Sequence, residues 1–123
     1  MRVRCEVEHQ PLKVGEVYLV LRVSISQHEL ATFGLHEPRD DRGPTIWPAE
    51  IFSVADSRIP RLWTAHLSPE RLRFAPPDWH APDFFEGLTN GDGVPMERMR
   101  EIHAIYKRDL AILLEESDAV GRE

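Results

Sequence analysis

One stretch of the chain, residues 15–26, constrains the fold more than any other. It is rich in β-branched and aromatic side chains, which suit the pleated surface of a strand. Alternate residues of a strand share a face, and five apolar residues do so here: Val17, Leu19, Leu21, Val23 and Ile25. The opposite face begins apolar at Tyr18 and Val20 and turns polar at Arg22 and Ser24. This pattern predicts a strand that runs through the middle of a sheet.

Short strand signals separated by turn residues fill the rest of residues 1–74. They lie at residues 3–8, 30–36, 45–56, 62–67 and 71–74, and Pro48 interrupts the segment 45–56. Residues 37–44 are predicted to form a loop, because their Asp, Gly and Pro residues supply turn geometry. We expect about five or six strands, arranged as a small antiparallel barrel or a strongly bent sheet.

A single amphipathic helix is predicted for residues 95–116, with Pro95 in its first turn. Apolar residues recur along one face at three- and four-residue spacing: Met99, Ile102, Ile105, Tyr106, Leu110, Ile112 and Leu113. We expect this stripe to pack on the sheet, and a dimer seam is the alternative. The prediction is one α+β domain over 1–123: mostly β at 1–74, a connector rich in proline and aromatic residues at 75–94, the helix, and a frayed tail at 117–123.

Composition agrees with one globular domain. The chain has 123 residues, of which 41% are hydrophobic and 29% are charged. Its single cysteine, Cys5, excludes a disulfide within the chain, so a reducing compartment, the cytoplasm, is expected. No apolar segment is long enough to span a membrane, and no apolar run follows the basic N-terminus as a secretory signal would require.

The formal net charge of −6 indicates which partners to expect. An acidic domain repels phosphate groups, and the arginines are scattered rather than striped, so nucleic acid is not expected. A basic protein is the partner that this charge favours, because opposite fields speed encounter. The same charge also serves simply to keep a protein soluble.

Residues that could carry chemistry are dispersed. Cys5 lies in a predicted strand without a positioned base, as a small buried hydrophobic residue would. The histidines form no metal-binding signature, and the closest cluster is His80, Asp83 and Glu86. These three side chains would converge only on a helix that begins at Pro82, and capping is an equally good role for Asp83. We therefore expect no enzyme, no cofactor and no metal, with a small metal-dependent hydrolase as the weaker alternative.

Three tryptophans each lie near a proline: Trp47, Trp63 and Trp79. Large rings fill the core of a small barrel well, and we expect Trp63 and Trp79 to be core residues. The alternative is an exposed groove around Trp47 and Trp63 that binds a peptide.

These framework residues resemble a known pattern. Residues 13–21 (KVGEVYLVL) resemble the opening strand pair of small SH3-like barrel domains. The segments 47–56 (WPAEIFSVAD), 59–63 (IPRLW), 75–79 (APPDW) and 84–86 (FFE), followed by a closing helix, resemble small bacterial proteins that are encoded beside polymorphic toxins and assigned as immunity proteins. The resemblance covers about residues 13–116. It rests on proline and aromatic framework residues, not on residues with chemistry.

The resemblance implies a non-enzymatic inhibitor that binds a cognate toxin, with a basic toxin domain as its protein partner. For such a role we expect acidic residues, with one tryptophan beside them, to steer and hydrogen-bond the partner: Glu37, Asp40, Asp41, Trp47, Glu50 and Asp56. The alternative is an SH3-like adaptor or assembly module that binds a peptide or a protein.

Overall fold

The computed structural model of the protein describes residues 1–28, 30–37, 43–89 and 91–121, with side chains as far as residue 118. Within these residues there are seven strands: β1 (Arg2–Cys5), β2 (Val17–Ser26), β3 (Thr32–Leu35), β4 (Thr45–Pro48), β5 (Phe52–Asp56), β6 (Thr64–Leu67) and β7 (Arg71–Ala75). Two α-helices follow, α1 (Phe84–Leu88) and α2 (Met96–Gly121), and 3₁₀ turns occupy Ala49–Ile51 and Pro77–His80. The predicted α+β class, a bent antiparallel sheet with a C-terminal helix, is confirmed.

The long strand β2 holds the sheet together, as its sequence predicts. β3 pairs along one edge of β2, whereas β1 and β7 share the other edge, β1 at residues 17–19 and β7 at residues 23–26. Each of these three strands pairs with one more antiparallel strand on its outer side: β1 with β5, β3 with β4, and β7 with β6. Three two-stranded units therefore attach to one strand, which explains why β2 is buried from Tyr18 to Ser24 on both of its faces.

The connection from β4 to β5 forces the sheet to bend. These two strands lie at opposite ends of the strand order β4-β3-β2-β1-β5. In the chain, however, only the short 3₁₀ turn Ala49–Ile51 separates them. A flat five-stranded sheet would hold its edges apart by about four strand spacings of 4.8 Å. The sheet must therefore curl so that its two edges approach each other, as in a small barrel.

Helix α2 packs on the sheet through a stripe that is rotated from the predicted one. Ile102, Tyr106 and Leu113 are buried, as predicted. The prediction was wrong for Ile112, which is 41% exposed, and Asp109 takes an inward position at 1% exposure. The cause is Trp79, whose Nε1–H donates to Oδ2 of Asp109 at 2.9 Å. The buried indole N–H needs an acceptor, and the carboxylate supplies it.

The C-terminal end of α2 differs from the predicted frayed tail at 117–123. The helix continues past Glu116 to Gly121. Arg2 of β1 holds this end in place: its Nε donates to Oγ of Ser117 at 2.7 Å, and its Nη2 lies 3.8 Å from Oδ1 of Asp118. A contact between the two ends of the chain leaves no local signal in the sequence. Among the described residues, no helix is both long enough and apolar enough to cross a membrane.

Candidate functional site

The residues predicted to face a partner occupy several places in the fold. Trp47 lies on β4 and Glu50 in the 3₁₀ turn that follows it, whereas Asp56 ends β5. That strand is five residues long, which places Asp56 about 16 Å from the end of the turn at a rise of about 3.3 Å per residue. Glu37 is half-buried just beyond β3. Asp40 and Asp41 lie outside the described residues, and the role of all six residues in binding a partner stays a prediction.

The tryptophans divide into two core residues and one half-buried residue. Trp79 is fully buried and Trp63 is 8% exposed, which confirms both as core residues. Trp47 packs edge-on against the His9 ring, with centroids 4.9 Å apart, and its Nε1–H donates to Oγ1 of Thr45 at 2.9 Å. Because Trp63 is buried, it cannot form an exposed groove with Trp47, and that prediction was wrong.

The predicted cluster at His80, Asp83 and Glu86 does not converge. Nε2 of His80 lies 3.1 Å from both O and Oγ1 of Thr64. Asp83 accepts two hydrogen bonds from Arg98, at 2.8 and 3.0 Å, and these bonds lower the pKa of its carboxyl. Among the residues that the structure describes, no group of three or more His, Cys, Asp and Glu side chains could hold a metal ion.

The most open part of the sheet is the edge strand β6. All of its residues are exposed, and within the described ranges only β7 pairs with it. The N–H of Ser68 donates to O of Arg71 at 2.9 Å, which fixes the alternation of hydrogen-bonded pairs along this hairpin. In an antiparallel ladder these pairs recur at every second residue, here at Ser68, His66 and Thr64. The peptide groups of Ala65 and Leu67 therefore point away from β7, toward the free edge.

An apolar row crosses one face of the same strands. Leu67 lies opposite Leu72, and Leu72 lies opposite Ile25. Leu67 is 78% exposed and Ile25 is 42% exposed, and the exposed Ala65 shares their face. We call these four residues the apolar strip. Single exposed apolar residues are normal on a protein surface, but a contiguous strip beside unpaired peptide groups is typical of a binding surface.

The opposite face of these strands carries positive charge. Arg73 of β7 pairs with Ser24 of β2, so Arg71 and Arg22, each two residues away along its own strand, point to the same side. Gly34 of β3 lies beside Arg22, and a Cβ atom at Gly34 would stand only 2.6 Å from Cγ of Arg22. The glycine therefore leaves the space in which the arginine side chain lies. We call Arg22, Arg71 and Arg73 the arginine cluster.

The aromatic ring of Phe85, on α1, packs against this arginine cluster. Its centroid lies 5.1 Å from Cζ of Arg22 and 5.5 Å from Cζ of Arg73, within reach of cation–π attraction. Arg22 is only 8% exposed, and its Nε and Nη1 and the Nε of Arg73 are buried without a hydrogen-bond partner. Burial, and then the charges of Arg73 and Arg71, lowers the pKa of Arg22 to about 10.

Comparison of the chain with protein-family models, with curated proteins and with solved structures found no match. Function is therefore inferred from the residues of the chain and their geometry. Neither the apolar strip nor the arginine cluster was predicted from the sequence. The alternation of Arg71 and Arg73 already places both on one face of a strand, but their approach to Arg22 depends on the pairing of β2 with β7, which no local pattern predicts.

Proposed function

We propose that the protein is a non-enzymatic binding domain that recognises another protein at the free edge of β6. One observation carries this proposal: the outward peptide groups of Ala65 and Leu67 lie at an exposed edge, beside the apolar strip. An extended segment of a partner can add to such an edge as a further strand. Every second side chain of that segment would then rest on the apolar strip, because side chains alternate between the two faces of a strand.

The composition of β6 supports a binding role for this edge. Natural proteins blunt exposed edges with charged side chains, prolines and bulges, since an open edge invites pairing with other chains. The sequence of β6 is Thr-Ala-His-Leu, without lysine and without proline. Its hairpin partner β7 follows it in regular register over all four residues. Of these protective features, β6 therefore lacks lysine, proline and a bulge, and the outward peptide groups of Ala65 and Leu67 can pair with an added strand.

The sequence resemblance implies that the bound protein is a toxin and that binding inhibits it. We include this inhibition in the proposal. The net charge of −6 supports a basic partner. Co-expression with the product of the neighbouring reading frame tests this form. An inhibitor would co-purify with that product and suppress its toxicity, and charge reversal at Asp40 and Asp41 would weaken the complex and reduce its salt dependence. A stable complex with undiminished toxicity would indicate an adaptor or assembly role instead.

Strand addition itself can be tested with a random dodecapeptide library displayed on phage. The full chain is immobilised, and bound phage are counter-selected on the Ala65→Pro variant, which lacks one outward N–H. Selected peptides are expected to carry apolar residues at alternate positions. Their affinity, measured by fluorescence anisotropy, should fall by about tenfold or more in Leu67→Lys, which corresponds to the loss of about 1.4 kcal/mol or more of binding energy.

A matched control comes from the other side of the sheet. Val54 of β5 is also an exposed apolar residue, at 54%, so Val54→Lys adds the same charge away from the apolar strip. This variant should bind the selected peptides as the wild type does. Circular dichroism would establish that all variants are folded. Failure to enrich any peptide, or equal affinity for the Leu67→Lys and Val54→Lys variants, would overturn the proposal.

A further inference from the structure

The arginine cluster combines burial with the lack of a carboxylate partner, and four other arginines of the protein do have such a partner. Several arginines have a carboxylate oxygen within 4.0 Å: Arg2, Arg58, Arg98 and Arg108. Among the described residues, no carboxylate is paired with Arg22, Arg71 or Arg73. In a protein with more acidic than basic residues, three adjacent unpaired guanidinium groups are unexpected for a purely structural arrangement.

The contact with Phe85 compensates the buried charge only in part. A cation above an aromatic ring is attracted by the negative face of the ring. The ring offers no lone pair, however, to the N–H groups on Nε and Nη1 of Arg22, or to that on Nε of Arg73. Buried donors of this kind are costly without an acceptor. The missing component of this site is therefore an acceptor with negative charge.

We propose that the arginine cluster binds a phosphate group, with Arg22 and Arg73 donating hydrogen bonds to its oxygens and Arg71 contributing charge. This site is distinct from the strand-addition edge of β6, and its existence does not depend on that function. Phosphate meets the requirement because it offers several acceptor oxygens and up to two negative charges, which guanidinium groups bind in forked geometry.

Two alternative anions match the site less well. A carboxylate carries one charge and two oxygens, fewer than three converging guanidinium groups can use. An extended polyanion such as nucleic acid would reach beyond this small cluster and would be repelled by the rest of the protein, whose net charge is −6. The depressed pKa of Arg22, caused by burial and by the charges of Arg73 and Arg71, agrees with a site that gains from a bound dianion.

Binding requires the ring of Phe85 to shift, because two of the Arg22 nitrogens are inaccessible in its present position. Phe85 is half-buried on the five-residue helix α1. It also contacts the buried Trp79 edge-on, with ring centroids 6.3 Å apart. The Nε1–H resonance of Trp79 will therefore respond to a displacement of Phe85, and the Nε–H resonances of the arginines will respond to the anion itself.

The experiment titrates the full-length chain with inorganic phosphate, with phosphoserine and with acetate at constant pH and ionic strength, while ¹H–¹⁵N spectra are recorded. We expect saturable shifts of the Arg22, Arg73 and Trp79 side-chain resonances with phosphate, and a much weaker response to acetate. Equal responses to inorganic phosphate and phosphoserine would indicate recognition of the group alone. A stronger response to phosphoserine would indicate a phosphate attached to a larger ligand.

Variants separate a specific site from general attraction of anions. Arg73→Gln should weaken phosphate binding by about tenfold or more, since it removes a charge-assisted hydrogen bond. Arg73→Lys should retain part of the affinity, because it keeps the positive charge. It should not retain all of it, because an ammonium group lacks the planar, two-pronged donor geometry of a guanidinium group. Arg58→Gln removes an exposed arginine elsewhere and should have no effect, and Leu67→Lys, which tests the β6 edge, should have none either. Linear shifts without saturation, or equal weakening in Arg58→Gln and Arg73→Gln, would overturn the proposal.

Discussion

Two buried charged residues, Asp109 and Arg22, have opposite surroundings. Asp109 is 1% exposed, and its two oxygens accept hydrogen bonds from Nε1 of Trp79 at 2.9 Å and from Nε of Arg108 at 3.1 Å. Arg22 is 8% exposed, and two of its nitrogens are buried without any partner. One charge is therefore fully satisfied by the fold, and the other is not.

The difference separates a structural role from a binding role. A buried charge with complete hydrogen bonds fixes the elements that carry its partners, here the 3₁₀ turn of Trp79 and helix α2. A buried donor without an acceptor lowers stability instead. Natural sequences keep such an inconsistency mainly where a function uses it. Substitutions at Trp79, Asp109 and Arg22, and a change of pH, test this distinction.

The largest effect is expected for Trp79→Ala. This ring is fully buried and packs against Phe84 and Tyr106, with centroids 5.5 and 5.3 Å away. Its removal leaves a cavity and an unpaired Asp109, and the free energy of unfolding should fall by about 3–5 kcal/mol. Urea denaturation measures this loss. Trp47→Ala, at a half-buried position, should cost much less, and an equal loss would mean that Trp79 is not the centre of the core.

The next effect is expected for Asp109→Leu. The indole N–H of Trp79 loses its acceptor, and the free energy of unfolding should fall by about 1–3 kcal/mol, as for other buried donors that are left unpaired. Asp109→Asn keeps one oxygen acceptor and should lose less. If both variants were as stable as the wild type, Asp109 would not be the residue that anchors Trp79.

Arg22→Met should change stability in the opposite direction. The methionine fills part of the same space without buried donors, so the free energy of unfolding should stay constant or rise by about 1 kcal/mol. Phosphate binding at the arginine cluster should be lost at the same time. Thermal and urea denaturation of the variant provide the measurement. Destabilisation as large as that of Asp109→Leu would show that Arg22 is a structural residue, as Asp109 is.

The smallest effect concerns pH. Burial lowers the pKa of His80, with the charges of His66 and Arg73 acting in the same direction, and burial also lowers the pKa of His36. In the unfolded chain both groups titrate near about 6.5 and bind protons that the folded state excludes. Stability should therefore be complete above this pH and decline slightly as the pH falls below it toward the folded pKa values.

Denaturation curves between about pH 7 and pH 5 span the range in which histidine titrates. His80→Gln should flatten the decline, whereas His28→Gln, at an exposed position, should not. Added phosphate should also flatten it, if the anion screens the field of Arg73 at His80. An unchanged slope in His80→Gln would mean that His80 does not contribute to the pH dependence.

The elements with the strongest periodic patterns were predictable from the sequence. The apolar alternation of residues 15–26 predicted β2, and the three- and four-residue spacing predicted most of the face that α2 buries. Both patterns arise from burial against neighbours, which leaves a regular imprint on each element. Even there, Ile112 is exposed and Asp109 is buried. The hydrogen bond from Trp79 to Asp109 outweighs the preference for an apolar residue at that turn of the helix.

The candidate sites were much less predictable. The arginine cluster depends on which strands are neighbours, and the polar positions of β2 were expected only to form a polar face, not to bury Arg22 at 8% exposure. The apolar strip depends on which strand is left at an edge. Asp56 and Glu50 were chosen for their charge, which does not indicate where they lie relative to each other in the fold. Their role in binding a partner remains a prediction.

The position of β2 has a consequence for how the molecule opens. The strand pairs β1–β5, β3–β4 and β6–β7 are connected to one another in the sheet through β2. The outer strands can fray one pair at a time while the other two pairs stay connected. Opening of β2, by contrast, disconnects all three pairs at once. Amide protons in the middle of β2 should therefore exchange with solvent only in global unfolding, whereas those of β6 exchange by local opening.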